Sequence, residues 1–180
     1  MGKRLKKLTP RLIDFISDQK MFFVATAMAD GNINLSPKGM DSFKVVEENK
    51  VLWLNLTGSG NETAAHLKYS DRMTIMFCAF DGPPSILRLY GNAKVFHKRD
   101  PAWESYLALF NEYSGSRQLI EMEIELVQIS CGFGVPFMDY KGERDLLGPW
   151  ADEKGEDGLK AYMEQKNSKS LDGHPTSIFE

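Results

Sequence analysis

The stretch Val51-Leu52-Trp53-Leu54-Asn55-Leu56, followed by Thr57-Gly58-Ser59-Gly60-Asn61-Glu62-Thr63, joins an apolar strand to a loop and then to an amphipathic segment. Gly58 and Gly60 allow a tight turn and a close approach of the backbone to a ligand. Three hydroxyl groups in the loop can donate hydrogen bonds: Thr57, Ser59 and Thr63. Free N–H groups at the start of a helix attract phosphate. The junction therefore predicts an anion site or an ordinary connecting loop, since it lacks the Gly-Lys-Ser/Thr ending of a Walker loop and the third glycine of a dinucleotide loop.

Two cations on either side of this stretch favour the anion site. Lys38 ends the segment Asn34-Leu35-Ser36-Pro37-Lys38 beside a turn, and Arg88 lies in an otherwise apolar strand. Together they could neutralise a phosphate dianion. The alternatives are a solvated turn for Lys38 and a structural ion pair with Asp41 for Arg88, because a buried arginine needs an anionic partner.

Composition excludes several function classes. The chain has 180 residues, 42% of them apolar, and a net charge of −3, which together indicate one globular domain with an ample core. No broad basic surface is available for nucleic acid.

The longest nearly apolar run, 21–29, is too short for a bilayer, and no secretory signal follows the basic N-terminus, so we expect a cytoplasmic protein. Cys78 and Cys131 match neither a metal-ligand pattern nor a disulfide framework.

The apolar spacing predicts an ordered series of strands and helices. An N-terminal helix is indicated by the helical spacing of the leucines from Leu5 onward and by the pair Thr9-Pro10, which is typical of a helix start. Asp30-Gly31 indicates a tight hairpin between the first two strands. Six strands are predicted: 21–28, 32–36, 51–56, 73–79, 85–96 and the alternating run 120–126. Further helices are predicted over 62–69, from Asp100-Pro101 onward, and over 157–167.

These elements predict a mainly β (α+β) fold. Hairpin-linked strands with only short helices between them favour a six-stranded antiparallel barrel with peripheral helices over a doubly wound parallel sheet. We expect residues 1–18 to form an N-terminal helix of the same domain and residues 19–130 to form the barrel. The polar segment 131–180 is expected to pack on the barrel or on a partner subunit.

Four motifs in this order resemble the pyridoxamine 5′-phosphate oxidase-like proteins. They are Asn34–Gly39, the junction Thr57–His66, Arg88-Leu89-Tyr90-Gly91-Asn92-Ala93, and Cys131-Gly132-Phe133-Gly134-Val135-Pro136. The resemblance covers most of the chain and is closest to a bacterial branch named for the superfamily rather than for a reaction. It implies an FMN-binding split barrel that forms a homodimer, with the cofactor in clefts between the subunits.

The resemblance also implies a set of cofactor-binding residues. These are Ser36, Lys38, Gly39, Trp53, Leu54, Thr57, Ser59, Asn61, Thr63, Arg88 and Trp150. For the two tryptophans the alternatives are a core aromatic at Trp53 and an anchor for the C-terminal tail at Trp150. His66 is expected to be a surface or capping residue, and no catalytic acid or base is identified. The acidic face Glu121, Glu123 and Glu125 is expected to be solvated.

The chain departs from the family where its true oxidases carry cations. Those enzymes have several Arg and Lys residues in the segment that matches 58–63, and an Arg-His-Arg cluster near the C-terminus. Here the segment has no cation, and the C-terminal region offers only Arg144 and the distant His174. The resemblance thus favours an FMN oxidoreductase that transfers a hydride or electrons to or from a small organic substrate, and not a vitamin B6 oxidase. The alternatives are a reductase that uses the deazaflavin F420, a haem-handling enzyme, and a flavin-binding module without turnover.

Overall fold

Residues 2–180 of the chain are described by a computed structural model. In this part of the chain there are eight strands and four helices. The strands are β1 Lys3–Leu5, β2 Phe22–Thr26, β3 Asn34–Lys38, β4 Phe43–Glu47, β5 Lys50–Leu56, β6 Arg72–Cys78, β7 Ile86–His97 and β8 Ser116–Ser130. The helices are α1 Pro10–Asp18, α2 Glu62–Leu67, α3 Trp103–Leu107 and α4 Leu147–Lys166.

The strands form one antiparallel sheet in the order β3-β2-β6-β7-β8-β5-β4, and β1 also pairs with β8. The sheet does not close on itself, because β3 and β4 end the order without pairing to each other. The prediction of a mainly antiparallel split barrel is therefore confirmed, as is the antiparallel pairing of β2 with β3. The tight turn predicted at Asp30-Gly31 is wrong, because residues 27–33 form a longer connection between the two strands. The predicted number of six strands is too low, since β1 and β4 have no strong apolar alternation.

The predicted start of the N-terminal helix is wrong. Leu5 belongs to β1, where it pairs with Val127 of β8, and the helix begins at Pro10. The Thr9 carbonyl accepts the first backbone hydrogen bonds of the helix. Leu8 lies between the two elements and is fully buried in the core. Its spacing from Leu12 fits a helix, but the pairing of the preceding residues with β8 takes the backbone out of that conformation.

The core lies on both faces of β5. Val51 and Trp53 face a large cluster built by β2, β6, β7 and β8, whereas Leu52 and Leu54 face a smaller cluster around Trp103 of α3. Because side chains alternate across a strand, burial of both faces requires an uninterrupted apolar run. This is why the sequence of β5 shows no polar alternation.

The start of helix α4 differs from the sequence prediction. Helix α4 begins ten residues before the predicted 157, and Gly155 kinks it with a φ of 60°, a conformation that glycine adopts without strain.

Glu121 is buried rather than solvated, because the Tyr106 hydroxyl of α3 donates to it and Lys94 pairs with it at 2.9 Å. Glu123 and Glu125 are exposed as predicted. No helix within residues 2–180 is both long enough and apolar enough to cross a bilayer.

Gly91 is a position where any side chain should destabilise the fold. It lies at an irregularity in the β7–β8 pairing, and a Cβ atom there would be 1.9 Å from the Glu123 backbone oxygen. We expect Gly91→Ala to lower the free energy of unfolding by about 3 kcal/mol, because strand backbone must move to admit the methyl group. Gly134→Ala is the matched control, since its Cβ would meet nothing within 4 Å. Equal denaturation midpoints for both variants would contradict this account.

Candidate functional site

The loop 57–63 forms one wall of a pocket of about 350 Å³. Strand β3 supplies a second wall, and β5 and the start of β8 supply the floor. The lining residues are Asn34, Ser36, Lys38, Trp53, Asn55, Leu56, Gly58, Ser59, Gly60, Asn61, Glu62, Thr63 and Arg117. A larger groove of about 1040 Å³ lies between α3 and α4, where four basic and four acidic side chains balance one another and Arg117 borders both cavities.

Six of the residues predicted to bind a cofactor lie together in the pocket of about 350 Å³. They are Ser36, Lys38, Trp53, Ser59, Asn61 and Thr63. Trp53 also belongs to the core, where its ring is edge-on to Phe22 at 6.4 Å between centroids. The pocket thus joins the three sequence segments that the predicted site draws from β3, β5 and the loop.

Three other predicted residues near these segments do not line the pocket. Leu54 points to the opposite face of β5, into the cluster around Trp103. The Thr57 hydroxyl donates to the Gly115 carbonyl at 2.7 Å. Gly39 lies beside the pocket, where its carbonyl accepts a hydrogen bond from the Ser42 hydroxyl.

Arg88 and Trp150 lie outside this pocket. Trp150 packs edge-on against Tyr162 within α4, with ring centroids 5.1 Å apart. Arg88 is half-buried on β7, and its Nη1 donates to the Ser130 hydroxyl at 3.3 Å. The proposed pairing of Arg88 with Asp41 is wrong, because the Asp41 carboxylate pairs with Lys44 at 2.8 Å.

Arg117 is the pocket residue that sequence reasoning missed. It is the extra residue of a β-bulge, since Asn55 pairs with Gln118 and Leu56 with Ser116. A bulge re-aims a side chain relative to regular alternation. The sequence shows only an isolated cation before an alternating run, and the position of a bulge depends on a pairing partner more than 60 residues away.

The guanidinium of Arg117 is buried and bonded only to neutral acceptors. Its side chain donates to Asn167 Oδ1 at 2.7 Å, to the Gly60 carbonyl at 2.8 Å and to Asn55 Oδ1 at 3.2 Å, while Nε has no partner. Burial lowers the pKa of Arg117 to about 10. Within residues 2–180, no carboxylate forms an ion pair with it.

Lys38 is a second cation in the same pocket. Its Nζ lies 4.9 Å from the centroid of the Trp53 ring, and it forms no ion pair with the described part of the chain. Burial, and next the charge of Arg117, lower the pKa of Lys38 to about 8. The Glu62 carboxylate also borders the pocket, but it accepts hydrogen bonds from the backbone N–H of Leu171. A bound anion would favour the charged forms of both cations, and it would offset the effects of their burial and of their mutual repulsion.

A hydrogen-bond network fixes the side chains on the β3 wall. Asn34 Nδ2 donates to Thr63 Oγ1 at 3.1 Å and to Thr26 Oγ1 at 3.3 Å, while its Oδ1 accepts from the Ser36 hydroxyl. Because the Thr63 oxygen accepts from Asn34, its own proton is free to be donated to a ligand. Thr26 also bonds His66 Nδ1 at 3.1 Å. The predicted surface position of His66 is wrong, since α2 packs that side chain into the interior.

Comparison with known proteins agrees with this architecture. The family model for pyridoxamine 5′-phosphate oxidase matches residues 8–131. The chain belongs to the pyridoxamine 5′-phosphate oxidase family. A relative from Aspergillus flavus, the pyridoxamine 5′-phosphate oxidase family protein ustO, is 40% identical over 190 residues, covering 94% of this chain and 76% of the relative. The resemblance seen in the sequence motifs is thereby confirmed.

Solved structures share the fold at low sequence identity. A Lactobacillus delbrueckii protein, solved as a candidate pyridoxamine 5′-phosphate oxidase, superposes with a TM-score of 0.54 at 21% identity, covering 68% of this chain and 94% of its own. The haem storage protein HutZ from Vibrio cholerae superposes with a TM-score of 0.50 at 19% identity, covering 67% of this chain and 93% of its own. At these identities the likeness establishes the fold alone.

Proposed function

We propose that this protein is an FMN-binding flavoprotein and an oxidoreductase acting on a small organic substrate. The observation that carries the proposal is the pair Lys38 and Arg117, two cations in one pocket without a carboxylate partner in residues 2–180. A buried charge of this kind calls for an anion as its partner. Membership of the family makes the phosphate of FMN the anion that we propose.

The donor set of the pocket fits a phosphate group. Arg117 and Lys38 supply the positive charge, the Nε of Arg117 has no protein partner, and the Thr63 hydroxyl has a free proton. Ser59 adds a hydroxyl group at the exposed tip of the loop. Charge-assisted bonds to phosphate oxygens are roughly twice as strong as neutral ones. The absence of Lys and Arg from the loop 57–63 therefore does not argue against phosphate binding, because the cations of the pocket come from β3 and β8.

Bound FMN would supply the transfer of a hydride or of electrons between the substrate and O₂ or a nicotinamide donor. The residues of this chain would bind and orient the cofactor, and Trp53 would close the floor of the pocket against water. Positioning alone contributes much of the acceleration in such reactions. Arg144 and His174 do not line the pocket, so we do not propose oxidation of a vitamin B6 phosphate ester.

Phosphate recognition gives the first test of this function. We expect the purified protein to show the double absorption band of a flavin, or to acquire it from added FMN. Lys38→Ala and Arg117→Gln should each weaken FMN binding by about 1.5–3 kcal/mol, the range for hydrogen bonds to charged groups. Riboflavin, which lacks the phosphate, should lose much less. Titration of flavin fluorescence measures both affinities.

The comparison of the two ligands separates phosphate contact from collapse of the pocket. Arg72→Ala is the matched control, because Arg72 is an exposed cation on β6 outside the pocket. Equal losses for FMN and riboflavin would mean that Lys38 and Arg117 support the fold only. A Soret band would favour haem, and a colourless protein that takes up no FMN would refute the proposal.

Turnover needs a separate experiment, since the fold is also compatible with a flavin-binding module. We expect NADH or NADPH, added without oxygen, to bleach the visible absorption band of the oxidised flavin. Admission of O₂ or of the substrate should restore the band. A flavin that stays oxidised with both donors, yet is reduced by dithionite, would favour the module without turnover.

We also propose that the protein is a homodimer with the cofactor at the subunit interface. β3 is an edge strand of the sheet and lines the pocket; Leu35 on this strand and Ile33 just before it expose 64% and 77% of their surface. Adjacent apolar side chains on an edge strand favour a covered interface. Sedimentation at micromolar concentration should give a dimer. A monomer that still binds FMN would contradict this proposal.

A further inference from the structure

The loop 57–63 carries no Lys or Arg, so the positive charge that β8 places beside it depends on how Arg117 is held. Asn167, which follows α4, is the residue that holds it. We propose that Asn167 is a positioning residue that keeps the Arg117 guanidinium in place without neutralising it, so that the C-terminal extension determines phosphate recognition. This inference rests on the proposed FMN function. Asn167 lies outside residues 8–131, the part of the chain that the family model matches.

Asn167 is bonded to both the cation and the loop. Its Oδ1 accepts from Arg117 Nη1 at 2.7 Å, and its Nδ2 donates to the Gly58 carbonyl at 2.9 Å. Its backbone carbonyl accepts from Asn61 Nδ2 at 3.3 Å and from the Thr176 hydroxyl at 2.6 Å. The side chain has no solvent exposure. These bonds connect the C-terminal extension to the two sides of the loop.

The carbonyl groups of the loop depend on the same pair of residues. Gly58 O accepts from Asn167, and Gly60 O accepts from Arg117. Buried carbonyl groups need such donors because leaving one unpaired is costly. The Thr57 backbone N–H bonds the Gly115 carbonyl, which fixes the start of the loop. The conformation of the loop is therefore set by side chains from β8 and from the C-terminal extension.

The chemistry of the asparagine side chain matters at this position. An amide offers a neutral acceptor to Arg117 and a donor to Gly58 at once. A carboxylate of the same shape would lack the donor and would form a charge-assisted pair with the guanidinium. The phosphate would then compete with an internal anion for the same cation. The amide thus leaves the charge of Arg117 available to a ligand.

Asn167→Asp tests the inference with a nearly isosteric change outside the pocket. We expect the Kd for FMN to rise at least about tenfold, as for loss of a charge-assisted bond, and the Kd for riboflavin to change less than about threefold. Gln165→Glu is the matched control, since it changes an amide to a carboxylate at an exposed position of α4 near Asn167. Unchanged FMN affinity in a folded Asn167→Asp protein would overturn the inference.

A double-mutant cycle separates positioning from a merely structural role. In an Arg117→Gln background, Asn167→Asp should raise the Kd for FMN by less than about threefold, because the cation that it would neutralise is gone. Independent, multiplying effects of the two changes would overturn the inference. Circular dichroism and the thermal midpoint verify that each variant is folded.

A second variant keeps the test decisive if Asn167→Asp does not fold. Asn167→Ser keeps a small neutral group, and we expect it to weaken FMN less than tenfold while riboflavin binding is retained. An equal loss of both ligands in Asn167→Ser would overturn the inference by showing that the residue supports the fold alone. Failure of the wild-type protein to prefer FMN over riboflavin would instead refute the proposed function.

Discussion

Burial of an arginine without an anionic partner is the constraint on which the site depends. Removing an ion from water costs on the order of several kcal/mol, and hydrogen bonds to neutral acceptors offset only part of this desolvation cost. Arg117 is offered three such acceptors: Asn55, Gly60 and Asn167. Each belongs to a different element, namely β5, the loop 57–63 and the segment after α4. The hydrogen bonds that replace water around this guanidinium therefore connect these three elements.

Strand β8 makes this arrangement possible because it is central to the sheet. It pairs with β1, β5 and β7, and its first residues lie beside the end of β5, where the loop 57–63 begins. The bulge at Arg117 interrupts the pairing at that point and turns the side chain toward the loop. The same pairing places Trp53 and Asn55 on the pocket floor. The position of the site is thus a consequence of sheet register as much as of the loop sequence.

Local patterns were sufficient to predict most of the sheet, and the family resemblance supplied about half of the residues that line the pocket. The apolar run of β5 and the glycine-containing loop are encoded within short windows, and the structure has them where the sequence indicates. Strand β1 and the buried Glu121 could not be predicted, because each depends on a partner far along the chain. Arg117 could not be predicted for the same reason. The position of a bulge follows from the pairing of two strands and not from the pattern of one.

The absence of a basic residue from the loop 57–63 and the burial of Arg117 are linked. The oxidases that the sequence resembles carry cations in the segment that matches 58–63, whereas in this chain the Asn61 amide donates to the Asn167 carbonyl and the Gly60 carbonyl accepts from Arg117. A lysine or arginine at position 61 would lose the first of these bonds and would repel the guanidinium nearby. Moving the charge into the loop would therefore weaken the support that holds the loop in place. A cation supplied by β8 is therefore consistent with a loop that has no basic residue of its own.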